Sequence, residues 1–191
     1  MKINVEPYNP SWKNQFEFEC KIVNELLKNF QPIIEHIGST AVENCAAKPI
    51  IDILIGFRSE KDLNSIVSIM TLHQYVYYKL YDEEMPFRRF FVKYKNPISQ
   101  TVFSTVEERN LFLLEKHLVH IHCTIHKNDF WNRHVAFRNY LQNHEDDKIR
   151  YSNLKLELSK QEWKDGNEYN DAKNELIKEI EQKALNSYLS K

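Results

Sequence analysis

The triplet Gly38-Ser39-Thr40 follows the apolar segment Pro32 to Ile37. A strand that ends in such a triplet and opens a helix makes a corner suited to a phosphate. Glycine lets the backbone come close to a ligand. The helix N-terminus offers unpaired N–H groups and a partial positive charge, and Ser39 and Thr40 add hydroxyl donors. The same residues also serve an ordinary helix cap, with Ser39 as the capping side chain. Asp52 narrows the choice. It lies within Pro49-Ile50-Ile51-Asp52-Ile53-Leu54-Ile55, in the most apolar stretch of the chain, where a carboxylate is costly unless it is paired or holds a metal. Lys48 precedes Pro49, which favours an extended backbone. It is placed either to reach a phosphate or to pair with Asp52.

His120 and His122 are two apart in Leu118 to Ile125 and therefore share one face of a strand. That spacing suits a metal or a phosphate contact, and equally a solvated strand face. We expect this face to meet Asp52 across a sheet. Three histidine-based hydrolase patterns are excluded. Thr124 breaks a His-x-His-x-His run, His122-Cys123-Thr124 has no second His-x-Thr/Ser copy, and His-Glu-x-x-His is absent. Arg88 and Arg89 are adjacent on a predicted strand, so only one faces the site. Guanidinium suits a triphosphate, and Arg89 is the candidate, with a solvated strand face as the alternative for both.

These residues need elements to hold them. Asn9-Pro10 starts a helix carrying Trp12, Phe16, Val23, Leu26, Leu27 and Phe30. Met1 to Tyr8 holds a short edge strand, and Pro32 to Ile37 a further strand. The Pro49 to Ile55 run is apolar on both parities and reads as a central strand covered on both faces. Ser59-Glu60-Lys61-Asp62 caps a helix built on Leu63, Ile66, Val67 and Met70. Gln74 to Tyr81 and Phe87 to Tyr94 predict two strands joined by the acidic turn Asp82 to Pro86, while Asn96 to Lys116 is ambiguous. From Asn128 on, the chain reads as about three helices, broken near His144 and near Asp165-Gly166. Tyr169, Ala172, Leu176, Ile180 and Ala184 form one stripe, and Tyr169 and Lys173 a surface pair. Trp12, Trp131 and Trp163 read as core residues. The fold class is α+β, a mixed sheet with flanking helices and a C-terminal helical part. One domain spans 1–191, with the sheet core at about 1–127 and the helices at about 128–191.

The 191 residues carry a net charge of -1, which gives no global basic field for nucleic acid. The longest apolar run, Pro49 to Phe57, falls far short of the roughly 20 residues of a membrane span. Met1 to Pro7 shows no signal-peptide core. Cys20, Cys45 and Cys123 are odd in number and widely spaced, so neither a disulfide framework nor a cysteine zinc site is indicated. These features predict a reducing, cytoplasmic setting.

Two stretches carry a specific resemblance: Ile34-Glu35-His36-Ile37-Gly38-Ser39-Thr40-Ala41-Val42, and Ala46-Ala47-Lys48-Pro49-Ile50-Ile51-Asp52-Ile53. Together they resemble the signature of the GrpB family, which is assigned to the nucleotidyltransferase (polymerase-beta) superfamily. Val5 to Trp12, Phe137 to Leu141, Tyr151 to Lys155 and Tyr169 to Lys173 match its opening and its C-terminal helices in order. The resemblance implies a nucleotidyltransferase-like fold. It also implies a possible transfer of a nucleoside monophosphate from an NTP to an acceptor. On that basis Gly38, Ser39, Thr40, Lys48 and Arg89 hold the nucleotide. Asp52 and His122 are catalytic, and Asp52, His120 and His122 bind Mg²⁺ or another divalent metal. Working members of the superfamily carry a second carboxylate where this chain has Leu54, and the family more often shows Arg-Asp at Arg138-Asn139. These departures leave a second class open: a non-catalytic nucleotide- or coenzyme-binding or assembly domain. That class agrees with GrpB-like domains found fused to dephospho-coenzyme A kinase.

Overall fold

Asn9 opens the first helix. Its side-chain oxygen accepts the Ser11 N–H at 2.9 Å, and α1 runs Ser11–Leu27. The structure, a computed structural model, describes residues 1–164 and 166–189. After α1 come β1 (Ile33–Ile37), β2 (Ile51–Phe57), α2 (Glu60–Leu72), β3 (Val76–Tyr77), β4 (Arg88–Tyr94), α3 (Val106–Asn110) and β5 (His117–Ile125). The chain then continues through α4 (Asp129–Asn143), α5 (Glu145–Ser159), α6 (Gly166–Asp171) and α7 (Asn174–Leu189). The five strands form one mixed sheet in the order β1-β2-β5-β4-β3. β2 runs parallel to β5, whereas β4 is antiparallel to both β5 and β3. The expected mixed α+β class holds.

The chain divides into two compact units. A sheet unit comprises Gln15–His36 and Ile50–Trp131, and a helical unit comprises Met1–Asn14, Ile37–Pro49 and the residues from Asn132 on. In the sheet unit, β2 is apolar on both parities because it is central: Ile51, Ile53, Leu54, Ile55 and Phe57 are buried. Ser59 caps α2 by accepting the Asp62 N–H at 3.2 Å, and Leu63, Ile66 and Met70 form the buried face of that helix. A separate cluster of Val76, Tyr78, Val92, Tyr94 and Phe103 packs around the outer strands. Glu19 is buried and is satisfied by Lys93 at 2.8 Å and by the Tyr75 hydroxyl at 2.5 Å. Burial and this carboxylate push the Tyr75 phenol far up, so it stays protonated.

Several expected elements differ. The strand expected over Gln74 to Tyr81 shrinks to Val76–Tyr77. The chain leaves the ladder where Tyr81 N–H bonds Tyr78 O at 3.2 Å, and it tightens into a 3₁₀ turn. The segment from Asn96 to Lys116 supplies a capping-box helix, with Thr105 bonded to Glu108 N–H and the Glu108 carboxylate returning to Thr105 N–H. Met1 to Tyr8 makes isolated bridges, Lys2 to Glu162 and Glu6 to Ala47, in place of a strand.

In the helical unit, Val42, Cys45, Leu141, Tyr151 and Ile180 form one core cluster. Ile3, Leu158 and Tyr169 form another, with Trp163 packed against it. The break at His144 stands. The other expected break involves Asp165, which lies outside the described residues. A further break falls at Ala172-Lys173, between α6 and α7. It interrupts the helical period, so Ala172 is exposed and Lys173 is buried instead.

Candidate functional site

Register decides which side chains share the sheet face. Asp52 lies opposite His120, Leu54 opposite His122 and Gly56 opposite Thr124. On the other side of β5, Val92, Phe90 and Arg88 face the same three positions. Asp52 Oδ1 is 3.3 Å from His120 Nδ1, and both side chains are about a quarter exposed. The expected meeting of Asp52 with the histidine strand is therefore made by His120. His122 instead faces Leu54, and its Nδ1 lies 3.3 Å from the guanidinium of Arg88. That guanidinium lies over the rings of Phe90, at 5.1 Å, and Phe130, at 5.8 Å.

Arg89 is corrected by the same register. It points to the opposite face with Cys123 and donates to Pro86 O at 2.9 Å and Asn64 Oδ1 at 2.7 Å. Strand alternation leaves Arg88 as the arginine on the Asp52 face. Leu54, two places after Asp52 on the same strand face, is completely buried hydrocarbon.

Sequence reasoning missed what lies behind His120. Its Nε2 is 2.9 Å from His117 Nδ1. His117 Nε2 is 3.4 Å from the Tyr78 hydroxyl, which is 2.6 Å from the Tyr94 hydroxyl. Burial pushes both phenols up, so they remain neutral. When Asp52 accepts the proton on His120 Nδ1, His120 Nε2 is an acceptor for His117 Nδ1–H. His117 Nε2 then accepts from Tyr78. That sets one tautomer for each imidazole while no cation sits between Asp52 and His120; a cation on His120 Nδ1 would reverse it, with His120 Nε2–H donating to His117 Nδ1. His117 precedes the predicted strand in sequence, and nothing in its spacing announced the contact.

The helical unit holds the glycine corner. Gly38 has φ 71° and ψ -173°, a conformation that side chains with a Cβ rarely adopt. Ser39–Ala41 is a single 3₁₀ turn with no side-chain cap. The expected helix N-terminus with Ser39 as its cap is therefore absent, replaced by this one short turn. Thr40 is buried, which removes its hydroxyl from the surface. Ser39 Oγ instead accepts from Lys155 Nζ at 2.7 Å, so its own hydrogen is directed away from that ammonium.

Lys155 is only 3% exposed. It also bonds Ala46 O and approaches Cys45 Sγ at 3.2 Å. Burial lowers its pKa, and the contact with Cys45 opposes that shift. Ser152 accepts the Ala46 N–H at 3.0 Å. Lys48 lies 4.4 Å from the centroid of the Tyr169 ring, and Lys173 lies 4.3 Å from the same centroid. The surface pair expected of Tyr169 and Lys173 is thus a buried one. Arg138 donates to Asn139 Oδ1 through Nε at 3.0 Å and through a terminal nitrogen at 2.9 Å. Asn139 can orient the guanidinium without a charge.

Among the described residues, no three His, Cys, Asp or Glu side chains converge as a metal cage, and no helix is long and apolar enough to cross a membrane. The model of the GrpB protein family matches residues 2–183. The chain belongs to the GrpB family. It is 28% identical to the glutamate-rich protein GrpB of Alkalihalophilus pseudofirmus, over 91% of this chain and 90% of that one. It is 29% identical to a UPF0157 protein of Halalkalibacterium halodurans, over 95% of this chain and 82% of the relative. The crystal structure of conserved protein GrpB from Enterococcus faecalis superimposes with a TM-score of 0.78 at 31% identity. That superposition covers 97% of this chain and 99% of the other. The mixed sheet and its helices therefore match a solved GrpB structure, and the expected family resemblance holds along nearly the whole chain.

Proposed function

We propose that this GrpB-family protein is nucleotidyltransferase-like: it binds a nucleoside triphosphate with a divalent cation and transfers the nucleoside monophosphate to an acceptor. The observation that carries this reading is the Asp52 carboxylate, held 3.3 Å from His120 on an otherwise buried strand. Two ligands on one cation, each about 2.0–2.2 Å from it, stand about 3–3.5 Å apart, so this pair fits a shared ion. A carboxylate oxygen with an imidazole nitrogen suits Mn²⁺ or Zn²⁺ better than the all-oxygen preference of Mg²⁺. When bound, such a cation neutralises phosphate charge.

The protein's own residues do the rest. Arg88 faces the same side as Asp52 and offers a fork of donors to phosphate oxygens. His122, with Nδ1 turned to Arg88, carries its proton on Nε2 and acts as a donor rather than a base. Gly38, Ser39 and Lys48 are a separate candidate for phosphate contact within the helical unit itself. Buried Leu54 leaves room for one carboxylate-held cation and none for a second. That favours a competing reading, a nucleotide- or coenzyme-binding or assembly domain that performs no transfer.

Thermal shift and calorimetry with each common NTP test the proposal, with and without Mn²⁺ or Mg²⁺, on the wild type, Asp52→Asn and Arg88→Ala. Ligand at one hundred times its dissociation constant adds about 2.7 kcal/mol of stability. Metal-dependent stabilisation by a nucleotide, lost in Asp52→Asn, is expected. Stabilisation without pyrophosphate release across an acceptor screen selects the binding-domain reading. No stabilisation by any nucleotide–metal pair overturns the transferase reading and leaves the coenzyme-binding or assembly domain.

A further inference from the structure

The loop after the glycine corner and α5 bring a thiol and an amine together inside the helical unit. Lys155 Nζ is 3.2 Å from Cys45 Sγ, and Ser152 Oγ is 3.4 Å from the same sulfur. Both Cys45 and Lys155 are buried. Lys155 Nζ bonds Ser39 Oγ and Ala46 O and lies 4.0 Å from the centroid of the Tyr151 ring. Among the described residues, no carboxylate pairs with it, although buried lysines are ordinarily paired. Burial lowers its pKa, so the neutral, nucleophilic amine forms at less alkaline pH than on a surface lysine. Cys20 and Cys123 belong to the sheet unit, so the helical unit has no second cysteine for a disulfide. Burial of the Cys45 sulfur excludes bulky thiols such as glutathione and favours a small oxidant.

We propose that Cys45 and Lys155 form an oxidative modification site, at which hydrogen peroxide joins the two side chains through one oxygen as an S–O–N bridge. One peroxide converts the Cys45 thiol to a sulfenic acid: an S–O bond forms, the O–O bond breaks and water leaves. A second converts the neutral Lys155 amine to a hydroxylamine and again releases water. The hydroxylamine oxygen then attacks the sulfenic sulfur and expels its hydroxyl as a third water. Sulfur and nitrogen each lose two electrons, and the two peroxides take all four. An interposed oxygen spans the 3.2 Å gap with less movement than a direct S–N bond needs. The bridge ties residues 110 positions apart and removes the ammonium that holds Ser39 and Ala46. This inference goes beyond the reading above and does not depend on it.

The experiment treats the full chain with hydrogen peroxide, folded and in urea. Each sample is then alkylated under denaturing conditions without reductant and mapped by mass spectrometry. In the folded protein the intact mass is expected to gain one oxygen and lose two hydrogens. Cys45 loses its alkylation, trypsin no longer cuts after Lys155, and one cross-linked peptide contains both residues. Dithiothreitol restores the starting mass. Cys20→Ser keeps the bridge, Cys45→Ser abolishes it, and the urea sample lacks it. The linked peptide identifies both residues in the unaltered protein, so no variant of buried Lys155 is required. Three results overturn the proposal: Cys45 that remains alkylatable after peroxide, Cys45 oxidised while trypsin still cuts after Lys155, or a bridge that forms equally in urea.

Discussion

Gly56→Ala should destabilise the sheet unit by overpacking, and the structure sets the size of the effect. Gly56 lies on the same face as Asp52, opposite Thr124. A Cβ there would stand 2.7 Å from Cζ3 and 3.1 Å from Cε3 of Trp131, and 3.0 Å from Cβ of His126. Ordinary contact begins at 3.4 Å, so the worst overlap is several tenths of an ångström against a ring. Trp131 has little freedom to yield. It is buried, its N–H bonds Asn128 Oδ1 at 2.9 Å, and its ring meets His126 edge-on at 4.8 Å. Forced overpacking of this kind costs about 1–3 kcal/mol. In a chain of this length each kcal/mol moves Tm by about 2–4 °C, giving a fall of roughly 2–12 °C by calorimetry or tryptophan fluorescence. Gly166→Ala is the matched control. Nothing lies within 4 Å of its added Cβ, so Tm should hold or rise through reduced freedom of the unfolded chain. Equal shifts for the two variants would refute the packing argument.

Lys93→Met removes the cation bonded to buried Glu19 and should cost about 3 kcal/mol in urea unfolding, as stranding a buried charge does; a loss below 1 kcal/mol would show that Tyr75 alone satisfies the carboxylate. Acid should weaken the helical unit through Asp147. Burial opposes its ionisation, but hydrogen bonds from Lys183, Tyr140 and Arg150 outweigh burial and hold its carboxyl below the ordinary 3.8. A depressed folded pKa stabilises the protein above the unfolded value and loses that contribution as pH falls through the folded one. The gap in stability between wild type and Asp147→Asn should therefore be full at pH 7 and shrink below about pH 4; a gap independent of pH would contradict the assignment. Ser152→Ala leaves the Ala46 N–H without its acceptor and should cost about 1–3 kcal/mol, measurable by chemical denaturation against the wild type.

The strongest local signals in the chain became the strongest elements. The apolar run around Asp52 and the alternation from Leu118 to Ile125 both pointed to strands, because burial on a pleated sheet imposes those patterns. The pairing of His120 with His122 on one face followed from a period of two. Which partner each histidine meets was not legible. A shift of one residue in the β2–β5 register would have turned Asp52 away from the histidine face, and no local residue encodes that alignment. Arg88 and Arg89 show the same limit, since adjacency said that one faces the site but not which. Of the expected stripe, Tyr169, Leu176, Ile180 and Ala184 face the core and Ala172 does not, because a helix break between α6 and α7 resets the helical phase. Ser39 failed as a cap because its oxygen is taken by a lysine 116 positions away, a contact that no window on the sequence contains.

The chain passes between its two units at residues 14/15, 36/37, 49/50 and 131/132, and this interleaving bears on synthesis. A ribosome completes the sheet unit by Trp131, while the loop from Ile37 to Pro49 still lacks Ser152 and Lys155, which later hold Ala46. Until roughly the last third of the chain emerges, the apolar Val42 and Cys45 have no partners from Leu141, Tyr151 or Ile180. Contacts this distant in sequence slow folding and leave apolar segments exposed to aggregation meanwhile. No single cut yields either unit as one continuous piece. Truncation after Trp131 would therefore strand the glycine corner rather than release an independent sheet domain, and nascent chains of that length are the ones a chaperone would have to shelter.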